Sequence, residues 1–154
     1  MTTKEIVMDT LRRAGLAEAQ KLRTRAASGD ADGSEIIKNA HFVPDYPPDG
    51  KRNFINVPVG APYRYNGQIY KLWQQHDANG KPDWTPDKAV SLWDICHTKN
   101  VSDALPYAVP QGTRGLYQAG EVMVWTDGNL YRSKNDGNAY TPETYPDGWE
   151  LIDA

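Results

Sequence analysis

The sequence predicts a mainly β protein with an N-terminal α-helical segment, followed by two small three-stranded antiparallel β modules in tandem. The first observation behind this prediction is that all five Trp, nine Tyr and two Phe lie between Phe42 and Trp149 of the 154 residues. The second is that, beyond Asn53, short runs of β-branched and aromatic residues alternate with Asn-Gly and Asp-Gly turn pairs. The third is that one pattern of landmarks occurs twice. Two different kinds of segment are therefore joined in one chain.

The N-terminal segment, residues 1–40, carries the signals of a helix. Glu5 follows Thr2 by three residues, and this spacing predicts a capping box and a helix start. Gly15 costs about 1 kcal/mol relative to Ala inside a helix, so one bent helix and two short ones both fit the pattern. Apolar residues recur near helical spacing among charged ones: Ile6, Val7, Leu11, Ala14, Leu16, Ala19 and Leu22. This stripe is too thin for a core of its own, and we expect it to anchor or oligomerise the chain.

Two linkers are predicted, over residues 41–55 and 99–115. The first contains a proline-rich run, and because proline has no amide hydrogen to donate and a fixed φ, neither helix nor central strand is expected there. A short helical turn over 34–39 precedes it. The linkers leave a first module over 56–98 and a second over 116–154.

The two modules share landmarks in the same order. Each has a glycine, then a predicted β-hairpin with an aromatic residue, a glycine turn, an aliphatic residue and a tyrosine, then an aromatic residue before Thr-Pro, and a closing Trp. The last two landmarks are separated from their counterparts by the same 56 residues. Two copies are too few for a solenoid, but they indicate two homologous modules. The corresponding positions are Gly60 and Gly120, Tyr65–Tyr70 and Trp125–Tyr131, Trp84-Thr85-Pro86 and Tyr140-Thr141-Pro142, and Trp93 and Trp149.

This pattern resembles the chitin- and cellulose-binding modules of carbohydrate-binding families 5 and 12. The tandem form after a helical segment resembles a set of small proteins of bacteriophages and prophages, and the resemblance covers about two thirds of the chain. It implies a small three-stranded antiparallel sheet with an aromatic core, and sugar binding by exposed aromatic rings. The chain departs from the secreted members because it has a single cysteine, Cys96, and no disulfide, and because Lys134 replaces the first module's Trp73.

Flat aromatic rings match the apolar face of a pyranose, but a module of about 40 residues also needs most of its rings for a core. We expect the repeated framework to be buried: Tyr70, Trp93, Tyr131 and Trp149. The resemblance and an alternating strand pattern suggest ligand contact at Trp73, with Trp84 second, because a Trp-x-Pro corner also suits a structural role. Gln74 to Asp77 either supply hydrogen bonds to hydroxyls or form an ordinary solvated loop. The carbohydrate-binding candidates are Trp73, Trp84, Gln75, His76 and Tyr140.

Composition argues against several other classes. A net charge of −3 gives no basic surface for nucleic acid, and the N-terminus has neither a signal-peptide core nor a run long enough to span a bilayer. The single cysteine favours folding in a reducing cytosol. The sequence predicts no cofactor, no metal site and no catalytic residues, since Cys96, His97, His41 and His76 lack the paired spacings of a zinc site. Paired carboxylates for glycoside hydrolysis remain an open alternative, because 20 acidic residues are present.

The function implied by the resemblance is that of a bacteriophage virion accessory protein. It would be made in the bacterial host cytoplasm, carried on the tail or another exposed appendage, and would contact bacterial surface polysaccharide. Other virion proteins, or further copies of the chain in a homo-oligomer, are the expected partners of the N-terminal helix. One alternative is a structural capsid or tail decoration protein whose modules bind protein, and another is a targeting subunit for a separate hydrolase. Within the modules, the first is expected to carry most of the ligand recognition, because only the first has Trp73.

Overall fold

The computed structural model describes residues 2–152 and confirms the predicted fold class. An N-terminal helical segment precedes two small sheets that follow each other along the chain. Helix α1 spans Thr3–Ser28 and helix α2 spans Gly33–Lys38. Short 3₁₀ turns lie at Ala40–Phe42, Pro48–Gly50, Val101–Asp103 and Pro146–Gly148.

Helix α1 begins at the predicted capping box. The Glu5 amide donates to Thr2 Oγ1 at 3.1 Å, and the Thr2 amide donates to Glu5 Oε2 at 3.3 Å. The helix continues through Gly15 as one element of 26 residues, so of the two arrangements that the sequence allowed, the single helix is the one formed. Gly29 ends it in the left-handed region with φ 83°, where glycine has no Cβ to clash.

Only the second half of α1 packs against the rest of the molecule. Leu22 and Ala26 are buried there, in a cluster that includes both isoleucines of α2, Val43 and Ile69. The large apolar side chains of the first half are 50–62% exposed: Ile6, Val7, Met8, Leu11 and Leu16. The helix is therefore held to the molecule at its C-terminal end, and its N-terminal turns display apolar side chains to solvent.

The first sheet has three antiparallel strands, β1 (Pro62–Tyr65), β2 (Gln68–Leu72) and β3 (Trp93–Ile95), in the order β1-β2-β3. Asn66 and Gly67 both have positive φ, 48° and 76°, which is the geometry of the tight hairpin turn that Asn-Gly predicts. Strand β2 is buried on both faces, because Ile69 joins the helical cluster while Tyr70 and Leu72 join an aromatic one. The sheet thus separates two cores.

The second sheet has four strands, one more than predicted. Strands β5 (Val122–Val124), β6 (Leu130–Ser133) and β7 (Trp149–Ile152) are antiparallel and correspond to β1, β2 and β3. Strand β4 (Leu105–Pro106) adds to the edge of β5 in parallel orientation. It comes from the segment 99–115, which the sequence suggested was only a linker.

The proline-rich segment 41–55 also supplies side chains to a core. Tyr46 and Phe54 are buried against Tyr63, Tyr70 and Trp93 of the first sheet. The Tyr46 and Arg64 amides donate to the Arg64 and Pro44 carbonyl oxygens, each at 2.8 Å, and so fix the segment beside β1. A three-stranded sheet buries little area by itself, and residues from outside the repeated unit complete its core.

Gly60 and Gly120 occupy equivalent positions at the start of the two modules and have similar backbones. Their φ angles are 96° and 90°, and their amides donate to the Leu72 and Ser133 carbonyl oxygens at 2.7 and 2.9 Å. Their surroundings differ. A Cβ at Gly60 would lie 2.8 Å from Ala27 Cα in the α1 backbone, whereas a Cβ at Gly120 would meet only the flexible Lys99 side chain, at 3.7 Å or more.

Replacing each glycine with alanine distinguishes the cost of a positive φ, which both positions share, from the cost of a clash with α1, which only Gly60 would have. We expect Gly120→Ala to lower the free energy of unfolding by about 1 kcal/mol, because φ is positive, and Gly60→Ala to lower it clearly more, because α1 must also move. Urea unfolding followed by circular dichroism measures both. Equal losses in the two variants would contradict the packing of α1 against Gly60.

Candidate functional site

The repeated framework residues are mostly buried, as expected. Trp93 and Trp149 are 3% and 4% exposed, and Tyr70 is also buried. Tyr131 differs: it packs against the second core but is only half-buried, and its hydroxyl donates to Asp127 at 3.0 Å. The expectation of a buried Tyr131 is corrected, since its ring packs against the second core but is only partly buried.

The indole of Trp93 is the centre of the first core. Four rings meet it at nearly right angles, with centroid distances of 5.1–5.7 Å, the geometry in which the positive edge of one ring faces the negative face of another. These rings are those of Tyr46, Phe54, Tyr63 and His76. The Trp93 ring therefore packs in the core and is not displayed to solvent.

His76 belongs to this core and not to a sugar-binding surface. It is 7% exposed, and its Nδ1 lies 2.8 Å from the Gln74 carbonyl oxygen. The expectation that His76 hydrogen-bonds a glycan is wrong in this structure, because Phe54 and Trp93 enclose its ring. Gln75 remains exposed, although its Nε2 already donates to the Val57 carbonyl oxygen at 2.8 Å.

Trp73 lies immediately after β2 and is 52% exposed. It follows the buried Leu72, so the strand alternation places it on the side away from the aromatic core. The Arg114 guanidinium carbon lies 4.7 Å from the Trp73 ring centroid, which is a cation–π contact within the protein. One face of this indole is therefore already covered, and only the other face is open to a ligand.

Trp84 and Tyr140 share a geometry that the sequence only partly indicated. In each module the carbonyl of the aromatic residue before Thr-Pro is held by a donor: the Tyr46 hydroxyl donates to the Trp84 oxygen at 3.2 Å, and Trp149 Nε1 donates to the Tyr140 oxygen at 2.9 Å. The rings project outward, 38% exposed at Trp84 and 59% at Tyr140. Each module thus fixes the backbone and displays the ring.

Different neighbours flank the two displayed rings. Lys81 Nζ lies 5.5 Å from the Trp84 centroid. Tyr140 meets Tyr145 edge to face at 5.7 Å, and Tyr145 is itself 37% exposed. Sequence reasoning did not single out Tyr145, whose only signal was its position five residues after Tyr140. The second module therefore presents a pair of exposed tyrosines, although it lacks a counterpart of Trp73.

Burial sets the protonation of several groups near these rings. Burial raises the pKa of Tyr70 to about 12, with a further contribution from the negative charge of Asp87. Burial likewise raises the pKa of the Cys96 thiol to about 12, so this cysteine is a neutral, unreactive core residue at neutral pH. Burial lowers the pKa of His97, whose ring stacks on Tyr117 at 3.8 Å. At neutral pH all three side chains are uncharged.

Between residues 2 and 152 we find neither a cluster of metal-ligating side chains nor a helix able to cross a membrane. No three His, Cys, Asp or Glu side chains come close enough together there to hold a metal ion. In the same range, neither helix has the length and apolar character needed to cross a bilayer.

No model of a known protein family matches the chain, and no curated protein matches it significantly.

Proposed function

We propose that this chain is an accessory protein of a bacteriophage virion that binds bacterial surface glycans through the exposed ring before Thr-Pro in each module. One observation carries the glycan-binding part: Trp84 and Tyr140 are exposed at equivalent positions of two repeats whose other shared aromatics are largely buried. A purely structural corner would bury the ring. Here the following Pro86 and Pro142 are buried instead.

The chemistry of the displayed rings suits a sugar. The C–H face of a pyranose packs on an indole or phenol with large contact area and little loss of rotamer freedom. We call Trp84 and Tyr140 the platform residues. Because a hydrogen bond from Tyr46 or Trp149 holds the backbone of each one, little further ordering is needed on binding. The proposal therefore assigns ligand contact to both modules, with Trp73 as an accessory surface in the first.

Two platforms on one chain bind a polymer more tightly than either does alone. When one module is bound to a polysaccharide, the other is held close to neighbouring sugar residues, so its binding becomes intramolecular. The placement of such a chain on a virion rests on the resemblance to phage proteins and on the exposed N-terminal turns of α1, which offer a means of attachment.

Alanine variants at the platforms test this proposal by retention on chitin, cellulose and bacterial cell-wall polysaccharide. We expect Trp84→Ala and Tyr140→Ala each to weaken retention about tenfold, since an aromatic–sugar contact contributes on the order of 1–2 kcal/mol, and the double variant to lose it. Trp73→Ala should retain more than Trp84→Ala, because Arg114 already covers one face of Trp73.

The matched controls are Ile55→Ala and Leu151→Ala, which remove exposed apolar side chains elsewhere on the chain. They should bind as the wild type does. Circular dichroism shows whether each variant is folded. Unchanged retention in a folded Trp84→Ala, Tyr140→Ala double variant would refute the platform assignment.

A second function, in assembly, is favoured by the exposed first half of α1. Five large apolar side chains project from residues 6–16, all at least half exposed, and within the described residues nothing covers them. Met8 and Leu11 lie three residues apart, on the side that Leu22 and Ala26 bury further along the helix. This spacing extends the apolar side of the helix, which we call the seam, beyond the part of α1 that packs against the rest of the molecule. Helices that pair with other helices have a continuous apolar side of this kind.

Lysine at this seam tests the assembly role. We expect Met8→Lys with Leu11→Lys to abolish self-association of the full chain in sedimentation velocity, because the two charges cannot be buried unpaired. The control adds the same charge to other exposed positions of the helix, as Thr10→Lys with Ala17→Lys. A monomeric wild-type chain, or a double variant that still associates, would argue against self-assembly through α1.

A further inference from the structure

A cavity of about 310 Å³ lies between the first module and the segment 107–115. Its first-module side is formed by Tyr70, Trp93 and Val90, and its other side by Tyr107 and Val109. The platform residues Trp73, Trp84 and Tyr140 do not line it. It is therefore a separate site from the exposed rings.

The far wall of the cavity is fixed by the second module. Tyr107 stacks on Tyr117 at 5.6 Å and meets Trp125 edge to face at 5.0 Å. The next residue, Ala108, donates its amide to the Tyr117 hydroxyl at 3.0 Å. The cavity thus depends on both modules, since the first forms one wall and the second holds the segment that forms the other.

Two connections hold the walls at their separation. Gln68 Nε2 in the first hairpin donates to the Pro106 carbonyl oxygen at 2.6 Å. Arg114 donates to the Val90 carbonyl oxygen while its guanidinium stacks on Trp73. The Gln111 and Arg114 backbones also pair in a tight turn, with N–O distances of 3.0 and 3.2 Å. The cavity is preformed, so binding there requires little ordering of the chain.

Polar residues line this space beside the aromatic residues Tyr70, Trp93 and Tyr107. Asp87 and Asp94 carry carboxylates, and Asn66 and Gln111 carry amides. Burial, with a further contribution from the charge of Asp87, raises the pKa of Tyr70, so its hydroxyl stays a neutral donor at neutral pH. Carboxylates accept hydrogen bonds from hydroxyl groups and repel anions. A hydroxyl group, which both donates and accepts, suits a cavity lined by residues that carry carboxylates and amides.

We propose that this cavity binds a single neutral sugar ring, with its C–H face against the aromatic wall and its hydroxyls on Asp87 and Asp94. Its volume is at the lower end of the roughly 300–1,000 Å³ of small-molecule sites, which fits one ring and not a bulky oligosaccharide. The choice of a sugar rests on the proposed glycan-binding function. The cavity would hold a branch or chain end while the platforms hold the body of the polymer.

The repeat supplies a matched control for this site. Asp94 follows Trp93 as Glu150 follows Trp149, but only Asp94 lines the cavity. In the same way, Val109 is 69% exposed at the cavity, whereas Val59 is 48% exposed elsewhere. The informative variants are therefore Asp94→Asn against Glu150→Gln, and Val109→Trp against Val59→Trp.

The test is titration of the ¹⁵N-labelled full chain with glucose, galactose and N-acetylglucosamine, with choline and inorganic phosphate as charged probes. We expect at least one sugar to shift the amide signals of Trp93, Tyr107 and Gly115 saturably, with a dissociation constant in the millimolar range. Asp94→Asn and Val109→Trp should weaken this binding at least tenfold, and their matched controls should leave it unchanged. The amide spectrum itself shows whether each variant is folded.

Three results would overturn the proposal: no sugar shifts these signals, only choline or phosphate does so, or the controls lose as much as the cavity variants. Retention on polysaccharide, measured with the same variants, keeps the two proposals apart. Retention without cavity shifts refutes the cavity site and leaves the platforms standing. Cavity shifts without retention refute the platforms and leave the cavity standing.

Discussion

The packing of four rings around the indole of Trp93 is the interaction on which the first module depends. A sheet of three short strands cannot enclose a core with aliphatic side chains alone, because it has too few of them. Large rings solve this problem, since each buries much area and edge-to-face contacts add further stabilisation. Tyr46 and Phe54 reach the indole from outside the repeated unit, which explains why the proline-rich segment 41–55 is packed against the sheet. The second module has fewer such rings around Trp149, where Tyr117 and Met123 complete the core.

This constraint also separates the rings that build the modules from the rings that remain open to a ligand. The two closing tryptophans are buried in both repeats, whereas the aromatic residue before Thr-Pro is exposed in both. In the second module the closing tryptophan and the exposed ring are linked directly, because Trp149 Nε1 donates to the Tyr140 carbonyl oxygen. In the first module the link is indirect: Tyr46 packs on Trp93, and its hydroxyl donates to the Trp84 carbonyl oxygen. The core therefore positions the platform. Trp73 is exposed as its strand position predicts, but the Arg114 contact makes it less open than a lone exposed indole.

The features that the sequence predicted correctly are those determined by residues close together in the chain. The capping box at Thr2, the Asn-Gly hairpin of the first module and the correspondence of Trp93 with Trp149 were all readable from spacing. Features that depend on contacts between distant residues were not. The burial of His76 needs Phe54 and Trp93, the parallel strand β4 needs the edge of β5, and the cavity needs Tyr107 opposite Tyr70. The half-exposed ring of Tyr131 shows the same limit, because a repeated position does not guarantee an equal number of neighbours.

Trp84 and Tyr140 are proposed as the platforms that hold a polysaccharide chain, while the ring cluster around Trp93 keeps its packing. The most direct measurement is a crystal structure of the full chain with cellohexaose or chitohexaose bound. We expect sugar rings to lie flat on Trp84 or Tyr140, with the aromatic core unchanged. An oligosaccharide bound at neither residue, or one that opens the cluster around Trp93, would contradict the assignment of Trp84 and Tyr140 as platforms.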